Sequence, residues 1–200
     1  EYWKRSEQYQ QYADYIDKTH NNEINQFPSK YNENDFVILD NPDAKAIKKD
    51  IEIIKLLFDI DVLINIPIAK HHPSTLLTGA LKNMMGVCTR KTNVRFHLEG
   101  ETRNDPVYLA QSIADLNLLR KSDLIIVDAT KFILTNGPVG PGEIRELNKI
   151  VAGTDIVAVD AFCSSFLDYD YTEVLTVQKA YEMGLGEMDY TKLNIKEITA

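Results

Sequence analysis

Lys70, His71, His72, Thr78, Gly79, Lys82 and Asn83 crowd into one short stretch directly after the apolar run Val62-Leu63-Ile64-Asn65-Ile66-Pro67-Ile68. Such a run reads as a buried strand, and in open α/β sheets ligands sit in the crevice beyond the carboxyl ends of strands. Ammonium, imidazole and amide groups placed there suit a small anion. If Thr78 caps a short helix ending at Gly86, the N–H groups of Gly79, Ala80 and Leu81 point outward, and the helix dipole favours negative charge beside them. Lys82 in that first turn is unfavourable by ~0.3–1 kcal/mol unless an anion answers it. A bound ligand or a neighbouring aspartate would serve equally, and Asn83 either orients the ligand or pairs with backbone.

His71 and His72 follow a strand end, so their side chains can diverge and only one need face the crevice. His72, Lys82 and the later His97 together offer two imidazoles and an amine. That set is compatible with a metal, with general acid/base work, or with a covalently attached cofactor. No sequential carboxylate completes a zinc pattern, so the metal is unspecified. Asp128 ends the run Leu124-Ile125-Ile126-Val127 and precedes the loop Asn136-Gly137-Pro138-Val139-Gly140-Pro141-Gly142. A carboxylate and a Gly/Pro-shaped backbone at the same sheet edge make Asp128 and Asn136 further candidates, although the loop lacks P-loop or dinucleotide spacing. Asp160 reads first as a helix cap and second as a ligand contact.

The elements that must position these groups alternate in type. Phe36–Leu39 is a short strand; Asn41-Pro42-Asp43 opens a helix near Ala44 with Ile47, Ile51, Ile54, Leu57 and Phe58 as its stripe; Asp61–Ile66 is the next strand. A polar connection through Arg90, Arg95 and His97 leads to Asp105-Pro106, which opens a helix running to about Lys121. Asn117 falls on that helix's apolar face and needs a partner. After Val127 the pattern predicts a helix from Glu143, a turn at Gly153-Thr154-Asp155, a strand over 156–159, a helix over 172–183, and an edge strand over 193–198. The expectation is an α/β domain, a layered and mostly parallel sheet flanked by helices, over residues 36–200. Residues 1–35, with Tyr2, Trp3, Tyr9, Tyr12, Tyr15 and Ile16 near helical spacing, read as a peripheral helical arm.

Two hundred residues at 44% hydrophobic and 26% charged are enough for one sizeable core. The net charge of −8 argues against non-specific binding to nucleic acid or anionic membrane, and makes local cationic groups stand out. No apolar run approaches the ~20 residues of a spanning helix, and no leader pattern is present. A cytoplasmic location is the default, with export behind a removed leader as the alternative. Cys88 and Cys163 form no ligand pattern, so no iron–sulfur cluster is expected from this chain, and the cofactor is left unknown.

The segments Ile66-Pro67-Ile68-Ala69-Lys70-His71-His72, Thr78-Gly79-Ala80-Leu81-Lys82-Asn83-Met84-Met85-Gly86, Ile113-Ala114-Asp115-Leu116-Asn117, Asn136-Gly137-Pro138 and Ala152-Gly153-Thr154-Asp155-Ile156-Val157-Ala158-Val159-Asp160-Ala161 resemble, in this order, the domain of unknown function 362 family over about residues 60–190. The family name implies no reaction. Its members are often described as iron–sulfur proteins because many carry a ferredoxin-like segment, whose cysteines this chain lacks. The spacing of His72, Lys82 and His97 is also similar to nickel-pincer lactate racemases, where the lysine tethers a pyridinium-derived cofactor and the histidines contact nickel or move protons.

Two function classes follow. The first is an enzyme or enzyme domain holding a small anionic ligand or cofactor between His72, Lys82, Asn83 and the Asp128/Asn136 edge, with redox or proton-transfer chemistry. The second is a non-catalytic accessory module that docks a redox partner or forms a homo-oligomer.

Overall fold

Ile51-Glu52-Ile53-Ile54 alternates buried and half-buried positions, and this two-residue period makes it a strand rather than the continuation of a helix. In the computed structural model, which describes residues 32–199, β2 (Ile51–Ile54) pairs antiparallel with β1 (Phe36–Leu39). The helix expected from Ala44 does not form. Its backbone is held instead by Asp115, whose carboxylate accepts N–H bonds from Lys45 (3.0 Å), Ala46 (2.6 Å) and Ile47 (3.2 Å) and from the Gln111 amide (2.9 Å). A short α1 (Leu56–Asp59) follows β2. Asp115→Ala is expected to cost about 2 kcal/mol in urea unfolding, because the amides of Lys45 and Ala46 lie near enough to the surface for water to replace the carboxylate. Amide exchange at residues 45–47 should accelerate at the same time.

The strand expected over 61–66 is shorter, β3 (Ile64–Asn65), because Pro67 has no N–H to give the ladder. The pairing resumes at Ile68, which bridges Asp128 in parallel. Next comes a small ribbon, β4 (Lys70–His72) antiparallel to β5 (Leu76–Thr78). Then follow α2 (Ala80–Asn83), a 3₁₀ turn (Met84–Val87), and α3 (Arg90–Leu98), which replaces the expected polar connection. Thr89 caps α3 by accepting from the Thr92 N–H, and Asp105 caps α4 (Pro106–Leu119) by accepting from the Tyr108 N–H with Pro106 in the first turn.

The longest pairing is the hairpin of β6 (Leu124–Ile133) with β7 (Ile144–Gly153), bulged between Ala129 and Lys131. Helix-forming residues such as Arg145, Glu146, Leu147 and Lys149 predicted a helix from Glu143, but cross-strand pairing overrides that preference. The opposite correction applies at Ile156. Its β-branched run lies in α5 (Ile156–Ser164), started by the Asp155 carboxylate accepting from Val157 N–H (3.0 Å) and Ala158 N–H (2.9 Å). Asp160 is therefore inside that helix and not its cap. Helix α6 (Leu175–Glu182) falls within the expected span, whereas 193–198 is irregular and exposed.

The result is a mixed α/β fold. Its sheets are small and mixed rather than mostly parallel: β3 and β6 run parallel, while β1/β2, β4/β5 and β6/β7 are antiparallel among the described residues. Ile125, Val127 and Ala129 on β6 join the core with Leu109, Ile113 and Leu116 of α4 and Val157 and Ala161 of α5. On the other sheet face Ile64 is 48% and Ile150 67% exposed. Asn34–Ala200 form one compact unit. The aromatic arm proposed for residues 1–35 lies outside the described residues apart from its last few positions.

Candidate functional site

Cross-strand partners in an antiparallel ribbon place their side chains on the same face. Lys70 pairs with Thr78 and His72 with Leu76, so Lys70, His72 and Thr78 share one face of the β4/β5 ribbon, and His71 takes the other. The two adjacent imidazoles do diverge. His71 Nδ1 accepts the Gly137 N–H at 3.1 Å, beside the 136–142 loop. A Cβ at Gly137 would stand 2.1 Å from the His71 carbonyl oxygen, which is why this loop needs glycine there.

His72 is buried, and the charges of Lys82 and His97 both act on it. Lys82 comes from α2, directly after the ribbon, and His97 from the last turn of α3. The Nδ1 of His72 accepts from the Ser74 N–H (3.2 Å) and the Thr75 N–H (3.3 Å), so its proton is on Nε2. His97 has the reverse arrangement: its Nδ1 lies 3.0 Å from the Asn104 side-chain oxygen and donates to it, leaving Nε2 with a free lone pair. The site thus holds one imidazole that donates and one that accepts.

The electrostatics are one-sided. Burial first, then Lys82, His97, His71 and Lys70, push the His72 pKa down to about 3, so it is neutral at all ordinary pH values. Burial and then Lys70 lower Lys82 to about 8. Burial lowers Lys70 and His71, while burial, then Lys82, with a smaller effect of Arg103, lowers His97 against the opposing Asn104 bond. The Lys82 ammonium donates to the Met85 thioether at 3.2 Å, a weak acceptor, and neither Lys70 nor Lys82 is paired with a carboxylate among the described residues. The Thr78 hydroxyl oxygen, on the Lys70 face, is buried without a hydrogen-bond partner.

Other expected contributors are engaged elsewhere. Gly79, not Thr78, is the cap position of α2, and the Ala80 and Leu81 N–H groups expected to meet a ligand donate to the Asp160 carboxylate at 2.7 and 2.9 Å. The chain supplies its own anion at that helix start, and a Cβ on Gly79 would come within 2.3 Å of it. Asn83 donates to the Asn65 side-chain oxygen (2.8 Å), and Asn65 in turn holds the Ala80 carbonyl. Asp128 lies within β6 instead of at its end, and its carboxylate accepts from the Thr130 N–H (2.8 Å) and hydroxyl (2.7 Å). Asn136 is an exposed loop residue with a left-handed φ of 53°. Asn117 finds its core partners in the Leu81 and Ile113 carbonyls.

Asn104, Met85 and Arg103 carry no linear signal that marks them for this site. Asn104 and Arg103 reach it through His97 at the end of α3, and an unrecognised α3 hides that connection. For a metal, the donor set does not fit: among the described residues no three of His, Cys, Asp and Glu gather in one place. Cys88 and Cys163 are buried thiols, with burial pushing Cys88 up to about 12 and Cys163 well above its ordinary value.

Residues 11–165, most of the chain, match the family described as domain of unknown function (DUF362). The chain belongs to that family. The match begins earlier and ends earlier than the 60–190 expected from motifs, and takes in Lys70 through Asp160. A thylakoid-associated protein of Synechocystis is 27% identical over 132 residues, 66% of this chain. The chain spans 40% of the length of that relative. No solved structure matches significantly. Among the described residues no helix is long and apolar enough to cross a membrane.

Proposed function

We propose that this DUF362 chain is an enzyme domain that holds a small carboxylate or similar anion against Lys70, Thr78 and Lys82, with His72 and His97 placed to move protons. The observation that carries this reading is the unanswered charge: two partly buried ammonium groups and the imidazoles of His72 and His97 act on one another with no paired carboxylate among the described residues, in a chain whose net charge is −8. Gathering like charges away from water costs stability, and a ligand anion is the group that recovers it. A neutral imidazole donor and a neutral imidazole acceptor on either side of the anion make a proton relay at neutral pH.

Titration calorimetry with acetate, glycolate and phosphate on the full chain tests it. Affinity for acetate and glycolate is expected to be steady from about pH 6 to 7 and to fall as Lys82 loses its proton near 8, by about tenfold per pH unit above that. Lys70 acts on Lys82 with positive charge, and the nearby His72 and His97 are neutral imidazoles near neutral pH, so no acidic neighbour inverts the sign. Absence of binding by all three anions, or binding unchanged in Lys70→Ala and Lys82→Met, overturns the reading.

A further inference from the structure

The geometry points to Lys82 as a covalent partner: we infer that its amine condenses with the carbonyl carbon of a 2-oxo or aldehyde carboxylate to form an imine, while Lys70 and the Thr78 hydroxyl hold the carboxylate. This inference rests on the anion-binding reading and names its substrate class. Three observations support it. The ammonium is turned to a thioether and not to a carboxylate, so no ion pair locks its proton in place. Its charge acts on two imidazoles, His72, whose free nitrogen donates, and His97, whose free nitrogen accepts. The Thr78 hydroxyl is a buried group with no partner among the described residues, on the same ribbon face as Lys70, and a buried hydroxyl in that condition calls for a ligand or an ordered water. Desolvation and a second ammonium are also the means by which proteins make a lysine nucleophilic near neutral pH.

The step balances without an oxidant or reductant. Lys82 Nζ loses a proton to His97 Nε2 and its lone pair attacks the carbonyl carbon; the carbonyl oxygen takes a proton from His72 Nε2. The carbinolamine nitrogen then gives its second proton back to His72 Nε2, and His97 returns its proton to the hydroxyl, which departs as water and leaves the protonated imine C=N–H⁺.

Glyoxylate, the smallest member of the class, and glycolate, which has the carboxylate without the carbonyl, separate the two levels of the argument. The full chain is incubated with glyoxylate and cyanoborohydride, and adducts are located by intact-mass and peptide mass spectrometry; glycolate binding is measured by calorimetry. The expected result is a single reduced adduct on Lys82, about tenfold or more faster than on any exposed lysine and absent in Lys82→Met. Thr78→Val is expected to slow trapping at unchanged folding, as judged by circular dichroism. Glycolate binding with no adduct on Lys82, or with labelling spread evenly over surface lysines, overturns the inference and leaves anion binding standing. Failure of glyoxylate and glycolate to bind overturns the inference, and failure of acetate and phosphate as well overturns both.

Discussion

Lys82→Met is expected to raise stability at pH 7 by about 1–2 kcal/mol, and Tm by about 2–8 °C, while weakening carboxylate binding by roughly 10–100-fold. The stabilisation follows from the direction of the lysine's shift. In the fold its pKa falls to about 8 from an ordinary 10.5, chiefly through burial, so the charged form is less well placed in the native state than in the unfolded chain. At pH 7 both states are protonated and the penalty is complete. As pH rises through about 8 the folded amine gives up its proton first, and by 10.5 the penalty is gone. The advantage of methionine over lysine is therefore largest at neutral pH and shrinks between 8 and 10.5. Solvent reaches the side chain in part, which is why the expected gain is set below the full value of the shift. Methionine keeps the chain length and packs beside Met85. Urea unfolding of both proteins at pH 7 and pH 10 checks the sign, and a methionine variant less stable at pH 7 would mean that the ammonium has a native partner.

Asp160→Ala is expected to destabilise the protein by about 3–5 kcal/mol, the largest loss from a single side chain near the site. The carboxylate from α5 receives the first two free amides of α2, and all of these groups are buried. Removing it leaves two N–H groups that water does not reach. Burial raises the Asp160 pKa to about 7, against the two backbone bonds that lower it. A carboxyl group raised in the fold binds its proton where the unfolded chain has released it, so this residue's contribution declines as pH rises from about 3.8 to 7. Asp160→Asn should accordingly compare better with the wild type at pH 8 than at pH 5. Gly79→Ala should be damaging through the same contact, since its Cβ would press on the buried carboxylate. Thermal unfolding across pH 5–8 measures all three. Because α2 carries Lys82, anion binding should weaken along with stability, and a variant that keeps full stability would show that the cap is not what holds α2.

Where the linear pattern carried the answer, the deciding interaction was local. Asp105-Pro106 specified the start of α4 because a capping carboxylate and a proline at the first turn act within three residues. The Asn136–Gly142 loop was equally clear from its turn residues. The run of basic residues was legible as residue types: His72 and Lys82 are near neighbours in sequence, whereas His97, which interacts electrostatically with both, comes from a distant element. Where the pattern misled, residues with one local preference were claimed by a distant partner. The strand over 144–153 exists because β6 offers ten residues of pairing, and the irregular 40–50 segment because Asp115 meets its amides from across the chain.

The amino-acid sequence by itself determined the chemical character of this protein, a knot of ammonium and imidazole groups after an apolar run in an otherwise acidic chain, since residue type and proximity are properties of the chain. Tertiary structure alone decided which of those groups remain available. It spent the α2 amides on Asp160 and the Asn83 amide on Asn65, turned His71 to the loop, and left Lys82 facing a thioether. Hydrogen bonds between residues tens of positions apart are made only once the core is packed, and each one removes a donor or acceptor from what a ligand can use.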